Sequence, residues 1–253
     1  MKKILWFIPV FILFSFCSSS KAIQFKLNSS QNLKGHLVKP EGNGPFPAVV
    51  IMHGCGGMHQ NYFEWAEKLK KWGYVSFIVD SLSPRGVYRV CGKGKKPNPL
   101  DRVQDAFAAK RYLLKLPFIK KDKIALLGFS HGGITSIISS LKLEKLKIKN
   151  PFSVVIAFYP YCFNIKENQQ LNNPLMILIG QADDWTPAHL CTVYKNKLAK
   201  NKDFILKIYP DAHHGFDWEG VDVKSNGHVI REDPDAFTDS QKMVKMFLSK
   251  YLQ

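Results

Sequence analysis

Short apolar runs alternate with helical patterns along most of this chain. Residues 48–52, 74–79, 124–127, 154–158, 175–179 and 204–209 are rich in Val, Ile, Leu and Phe and read as buried strands. Residues 62–72 carry Phe63, Ala66 and Leu69 at helical spacing, and Gly73 stops that helix. Asn98 caps a helix whose first turn holds Pro99 and Asp101 and which runs to about residue 116. A sharp turn at 128–133 opens a helix ending near residue 143. Thr186 caps a further helix with Pro187 at its first position, and residues 236–252 form the closing helix. This alternation predicts an α/β fold with a mostly parallel central sheet and helices on both faces. Residues 85–97 and 219–234 are rich in turn formers and read as surface loops.

The start of the chain has a different pattern. Lys2 and Lys3 precede an apolar run, 4–16, broken by Pro9 and Ser15, and Ser20-Lys21-Ala22 follows. This three-part pattern predicts a signal peptide over residues 1–22, cleaved after Ala22, and a periplasmic or secreted protein. The run is short for a membrane span. An uncleaved anchor is the alternative, and lipidation at Cys17 is disfavoured by the large Phe16 before it. The remaining residues, 23–253, suit a single domain, and 45% hydrophobic and 22% charged residues are ordinary for a globular enzyme. The net charge of +16 falls to about +13 when Lys2, Lys3 and Lys21 leave with the signal. The lysines are scattered and no aromatic-basic stripe joins them, so nucleic acid is not an expected partner.

Four cysteines outlast the signal: Cys55, Cys91, Cys162 and Cys191. An even count in an exported chain points to disulfides, with three possible pairings. The inferred order of strands sets the strand before Cys55 beside the one before the Cys91 loop. It sets the strands before Cys162 and the Cys191 helix side by side as well. Cys55–Cys91 and Cys162–Cys191 are therefore the expected bridges. No C-x-x-C or close Cys/His set is present, so neither a metal nor another cofactor is expected.

Gly128-Phe129-Ser130-His131-Gly132 matches the G-x-S-x-G nucleophile elbow, with a strand before it and a helix after it. A serine hydroxyl needs a base, and the base needs an orienting acid. Loops after later strands supply Asp183-Asp184 and then His213-His214, in the order Ser, acid, His that the elbow requires. Asp183 is preferred because Asp184 lies closer to the helix start at Thr186-Pro187, and His214 is preferred over His213. The backbone N–H groups of His131 and of Cys55, the latter in His53-Gly54-Cys55-Gly56-Gly57, are the expected oxyanion donors. Arg85 either meets a substrate carboxylate or is a plain surface arginine.

These residues resemble the dienelactone hydrolase family over roughly residues 35–252. The likeness rests on the His53–Gly57 loop, on Asp80-Ser81 with Arg85-Gly86, on the elbow, on Gly180 with Asp183-Asp184-Trp185-Thr186-Pro187, and on His214-Gly215-Phe216-Asp217. The family's acid matches Asp183 and its histidine matches His214. The resemblance implies the α/β-hydrolase fold and hydrolysis of a small ester or lactone through an acyl-enzyme. The family's best-known members carry cysteine at the elbow and work in the cytosol on a lactone ring; this chain has Ser130 and an export signal. Acyl transfer or peptide cleavage by the same triad, and a non-catalytic binding protein, are the rival readings.

Overall fold

The computed structural model describes residues 20–92, 94–146, 148, 150–198 and 203–253. The basic start, the apolar run and Cys17 of the expected signal lie outside the described residues. In chain order the elements are β1 (Lys21–Lys26), β2 (Asn32–Val38), β3 (Phe46–Met52), α1 (Gln60–Lys71), β4 (Val75–Asp80), α2 (Pro99–Leu113) and β5 (Ile119–Phe129). There follow α3 (His131–Ser140), β6 (Val154–Phe158), β7 (Leu175–Gly180), α4 (Ala188–Lys197) and β8 (Phe204–Tyr209). A hairpin of β9 (Asp222–Ser225) and β10 (His228–Arg231) precedes the closing helix α5 (Pro234–Leu252).

Eight strands form one sheet in the order β1-β2-β4-β3-β5-β6-β7-β8. Neighbours from β4 to β8 pair in parallel, and β1 and β2 extend the sheet antiparallel. Helices cover both faces: α2 packs on α3 on one, while Trp65 of α1 meets Phe237 of α5 on the other. Every residue of β4, β6 and β7 is buried. That is why β6 and β7 read as unbroken apolar runs rather than as alternating ones, while β4 buries Ser76 and Asp80 as well. The chain passes from β3 to β4 on one side and then crosses to β5 on the other. Such a switch opens a crevice at the carboxyl ends of β3 and β5, where open α/β sheets collect their ligands.

The start of α2 is as its sequence requires. Asn98 Oδ1 accepts from Asp101 N–H at 2.9 Å, and Asp101 Oδ2 accepts from Asn98 N–H at 2.9 Å. This reciprocal cap contributes on the order of 1 kcal/mol. The helix expected from Thr186 begins instead at Ala188, with Pro187 at its N-cap. Thr186 does not cap it, because its hydroxyl and its N–H both go to Asp183. The segment 219–234 is not a plain loop; it contains the β9–β10 hairpin. The strands β1 and β2 also lie outside the predicted set. Lys21 and Ala22, at the expected cleavage point, pair with Leu37 and His36 in β1–β2. Gly35 lets β2 cross the sheet there, since a Cβ at that position would sit 2.3 Å from the Phe77 ring.

Both expected disulfides are present, Cys55–Cys91 and Cys162–Cys191. The second links the chain after β6 to α4 across a separation of 29 residues. Among the described residues, no helix is long and apolar enough to cross a membrane. In the double variant Cys162→Ala/Cys191→Ala, the unfolding free energy in urea should fall by roughly 3–4 kcal/mol, because a loop of this length leaves the unfolded chain more entropy. Unchanged stability would show that the bridge does not constrain the unfolded chain.

Candidate active site

Ser130 stands between β5 and α3 with φ 52° and ψ −116°, a conformation that L-residues rarely adopt. The turn is tight enough to dictate its neighbours. A Cβ on Gly128 would lie 2.1 Å from Gly132 O, and one on Gly132 would lie 2.1 Å from Met52 O. Only glycine fits at either place, which is the physical content of G-x-S-x-G here. The serine is held by its own backbone, as Ser130 N–H donates to Phe158 O at 3.0 Å. Strain of this kind costs of order 1–3 kcal/mol and survives because the surrounding strands fix the turn.

Three side chains from the ends of β5, β7 and β8 then fall in line. Ser130 Oγ lies 3.0 Å from His214 Nε2, and His214 Nδ1 lies 2.8 Å from Asp183 Oδ2. His214 and Asp183 are both buried. A carboxylate only accepts, so Nδ1 carries the hydrogen and Nε2 is free to accept from the serine hydroxyl. Asp183 Oδ1 accepts from the N–H groups of Trp185 and Thr186 at 2.9 and 2.8 Å, and Oδ2 accepts from Thr186 Oγ1 at 2.7 Å. Burial alone would push the Asp183 pKa up; His214 and these hydrogen bonds outweigh it and hold the pKa below its ordinary value. The imidazole is flanked by the rings of Tyr159 and Trp185, with centroids at 4.6 and 5.1 Å. This series can move a proton from a hydroxyl to an imidazole and stabilise the resulting imidazolium.

The adjacent candidates lie elsewhere. Asp184 is not at the helix start: its Oδ1 lies 3.5 Å from His228 Nδ1 and accepts from Val229 N–H at 3.3 Å. It therefore links the acid loop to the β9–β10 hairpin. His213 takes no part in the chain of bonds from Ser130 to Asp183.

The loop after β3 engages most of its polar groups, with an exception at Cys55. His53 Nδ1 donates to Gly54 O at 2.6 Å, and His53 Nε2 accepts from Ser81 N–H at 3.2 Å. Gly54 N–H donates to Tyr62 Oη at 2.9 Å, and Cys55 O accepts from Val90 N–H at 2.9 Å. No acceptor among the described residues takes the N–H of Cys55 or of His131. His131 begins α3, where N–H groups have no partner within the helix. The Gly54 position is close enough to the serine that a Cβ there would be 3.6 Å from Ser130 Cβ.

Arg85 is partly buried and pairs within the chain. Its fork meets both carboxylate oxygens of buried Asp105 at 2.9 and 2.7 Å, and Nη1 also bonds Ser81 O at 2.6 Å. The expectation of a plain surface arginine is corrected by this pairing, since a bidentate carboxylate occupies the guanidinium. The sequence marks His53 only as the first residue of its glycine loop, and it marks neither Arg102 nor Tyr62. Arg102 sits in an ordinary helical pattern, and no local motif marks it.

Two clefts meet at Ser130. One, about 170 Å³, is bounded by Tyr62, Trp218 and Ile230 and reaches Arg89. The other, about 650 Å³, runs past Lys95, Asn98, Ile134 and Tyr161. Cys55 and Cys91 line both, so their disulfide stands between them. Arg89 donates to Ser225 Oγ at 3.0 Å and joins this wall to the hairpin. Among the described residues, no group of three or more His, Cys, Asp or Glu is placed to hold a metal.

A doubly wound sheet with a strained serine turn at the end of β5 is the α/β-hydrolase fold. The model of the dienelactone hydrolase family matches residues 33–252, and the chain belongs to that family. A curated relative from Bradyrhizobium sp. named "Probable 2-oxo-3-(5-oxofuran-2-ylidene)propanoate lactonase" is 22% identical over 193 residues, covering 72% of this chain and 77% of that protein. Two solved structures share the fold. A dienelactone hydrolase-like promiscuous phosphotriesterase from metagenomic libraries superposes with a TM-score of 0.73 at 16% identity, covering 93% of this chain and 99% of that one. A thermophilic esterase from Thermogutta terrifontis with propionate bound gives 0.67 at 19% identity, covering 91% and 94%. The protein is a hydrolase of this esterase- and lactonase-like family.

Ser130→Gly should raise the melting temperature by roughly 2–4 °C, about 1 kcal/mol, because glycine adopts this φ without the strain. A melting curve at or below that of the native protein would show that the turn stores no strain.

Proposed function

We propose that the protein is an exported serine hydrolase that cleaves a carboxylic ester or lactone of a small substrate through an acyl-enzyme. The observation that carries this reading is the unbroken series Ser130 Oγ, His214, Asp183, with spacings of 3.0 and 2.8 Å. Ser130 attacks the carbonyl carbon while His214 Nε2 takes its proton, and Asp183 stabilises the imidazolium. The N–H groups of Cys55 and His131 receive the developing oxyanion. His214 then returns the proton to the leaving alkoxide, which departs and leaves the acyl group on Ser130. Water, deprotonated by His214, attacks that acyl group; His214 returns the proton to Ser130 Oγ as the acyl bond breaks and the acid is released.

Several findings support the reading. The family is one of esterase- and lactonase-like hydrolases, the Bradyrhizobium relative is named a lactonase, and the Thermogutta neighbour is an esterase. The two clefts at Ser130 suit the acyl and leaving-group portions of a small ester. Two disulfides fit an oxidising compartment, which accords with export and with residues 1–22 as a signal.

A series of p-nitrophenyl esters of rising chain length tests the activity and bounds the acyl cleft. Ser130→Ala should abolish turnover, and a fluorophosphonate should label the native protein at Ser130; labelling at another residue, or full activity of the alanine variant, overturns the assignment. Asp183→Asn and His214→Ala should each lose activity by orders of magnitude, while Asp184→Asn and His213→Ala keep much of it. Steady-state rates of the four variants, with folding checked by circular dichroism, decide this. A larger loss in Asp184→Asn or His213→Ala moves the acid or the base by one residue.

A further inference from the structure

Arg102 is among the largest fully buried side chains of the protein. It lies on α2 just after the Asn98–Asp101 cap. Its Nη2 donates to His53 O at 2.8 Å, and its Nη1 lies 2.8 Å from His131 Nδ1. Those two partners belong to the two segments that carry the candidate oxyanion donors. His53 stands two residues before Cys55, and His131 follows Ser130. The two segments also touch directly, since a Cβ on Gly132 would lie 2.6 Å from His53 O.

A guanidinium only donates, so His131 Nδ1 accepts and its proton sits on Nε2. Burial, and after it the Arg102 charge, push the His131 pKa down to about 3, so the ring is neutral at neutral pH. Burial lowers the Arg102 pKa to about 10, with Asp105 acting against it, and the guanidinium remains charged at neutral pH. Asp105 and Asp80 both act on the Arg102 charge, but neither carboxylate bonds it: both oxygens of Asp105 are forked by Arg85, and Asp80 accepts from the Leu82 and Ser83 N–H groups. The bonds of the Arg102 guanidinium go instead to a backbone carbonyl and a neutral ring.

We propose that Arg102 is the positioning residue of the oxyanion site. It fixes the Cys55 and His131 N–H groups relative to each other, and its charge favours the oxyanion over the neutral carbonyl. This rests on the Ser130 reading above. A donor or charge that acts on the oxyanion strengthens in the transition state, so its loss appears in kcat rather than in KM. A residue that merely filled space would alter stability and the fraction of active protein, and would leave the rate per active site unchanged.

The test uses the full protein, with active sites counted by fluorophosphonate titration. Arg102→Met should lower kcat per titrated site on p-nitrophenyl butyrate by about 10- to 100-fold, below the loss typical for deleting an oxyanion donor itself. KM should stay within about threefold, and the inhibition constant of phenylboronic acid, whose serine adduct is tetrahedral and anionic, should weaken by a factor like that in kcat. His131→Gln retains a side-chain oxygen that can accept from Arg102, whereas His131→Leu does not; the first should keep at least tenfold more activity than the second. Native kcat per site in Arg102→Met, a loss confined to KM, or equal activity of the two His131 variants overturns the proposal. If Arg102→Met does not fold, the His131 pair decides alone. Absence of labelling at Ser130 in the native protein strikes the underlying reading instead, and is seen before any variant is made.

Discussion

The contact on which the rest depends is the approach of the serine turn to the end of β3. Gly132 lies so close to Met52 O and His53 O that no side chain fits between them. This contact brings the amino end of α3 against the loop that starts at His53. It sets Ser130 and the start of α3 beside the loop that carries Gly54 and Cys55. The sheet makes the approach possible, because β3 and β5 are neighbours and the chain reverses direction across the sheet between them. The strained φ of Ser130 follows from the same geometry, and the buried strands on either side hold it there.

Around that contact the protein uses buried polar groups sparingly and pairs them closely. Asp183 receives four hydrogen bonds when His214 is counted. This keeps it ionised in a place where burial favours the neutral acid. Asp217 shows the other outcome. It is equally buried and accepts from Trp65 Nε1 at 2.7 Å, and burial raises its pKa. Two aspartates near one histidine thus differ in balance: at Asp217 burial outweighs the bonds from Tyr159 and Trp65 and the influence of His214, whereas at Asp183 the bonds and His214 outweigh burial. The aromatic group of Trp65, Phe129, Phe158, Tyr159 and Phe216 packs beneath the site. It keeps water from the inner side of the His214 ring, which strengthens each charge interaction there.

Much of this was legible in the letters, for physical reasons that differ by residue. Strands β6 and β7 are apolar throughout because both their faces are covered, so composition alone marks them. The elbow is legible because Gly128 and Gly132 answer to steric contacts that no other residue satisfies. The disulfide pairing followed from strand order. What was not legible depends on partners far away in the chain. Strands β1 and β2 are half exposed and mix polar with apolar residues, so no apolar run marks them. The β9–β10 hairpin is four residues on each side and is held by Asp184 and by Arg231 N–H on His214 O. Thr186 looked like a cap because it precedes a proline, but the nearby carboxylate of Asp183 took its donors. Arg85 looked free because its partner, Asp105, is 20 residues away on α2.

The segments that line the clefts have little of the sheet's support, and here covalent chemistry substitutes for packing. The described residues of 86–98 contain no helix or strand, yet they supply Arg89, Cys91 and Lys95 to the walls. Cys55–Cys91 and the Val90 N–H to Cys55 O bond fasten this segment directly to the loop after β3. Arg89 carries the connection on to the hairpin, and the hairpin returns it to His214 through Arg231. The path runs from the loop after β3 to the loop of His214, and each link in it is a named bond. Cys162–Cys191 does a similar service beside the acid loop, joining the chain after β6 to the helix that follows Asp183. A long loop confined at one point by a bridge loses most of its freedom before any substrate binds. The ordering entropy is then met in folding rather than in catalysis, so the cleft walls are already in place when a substrate arrives.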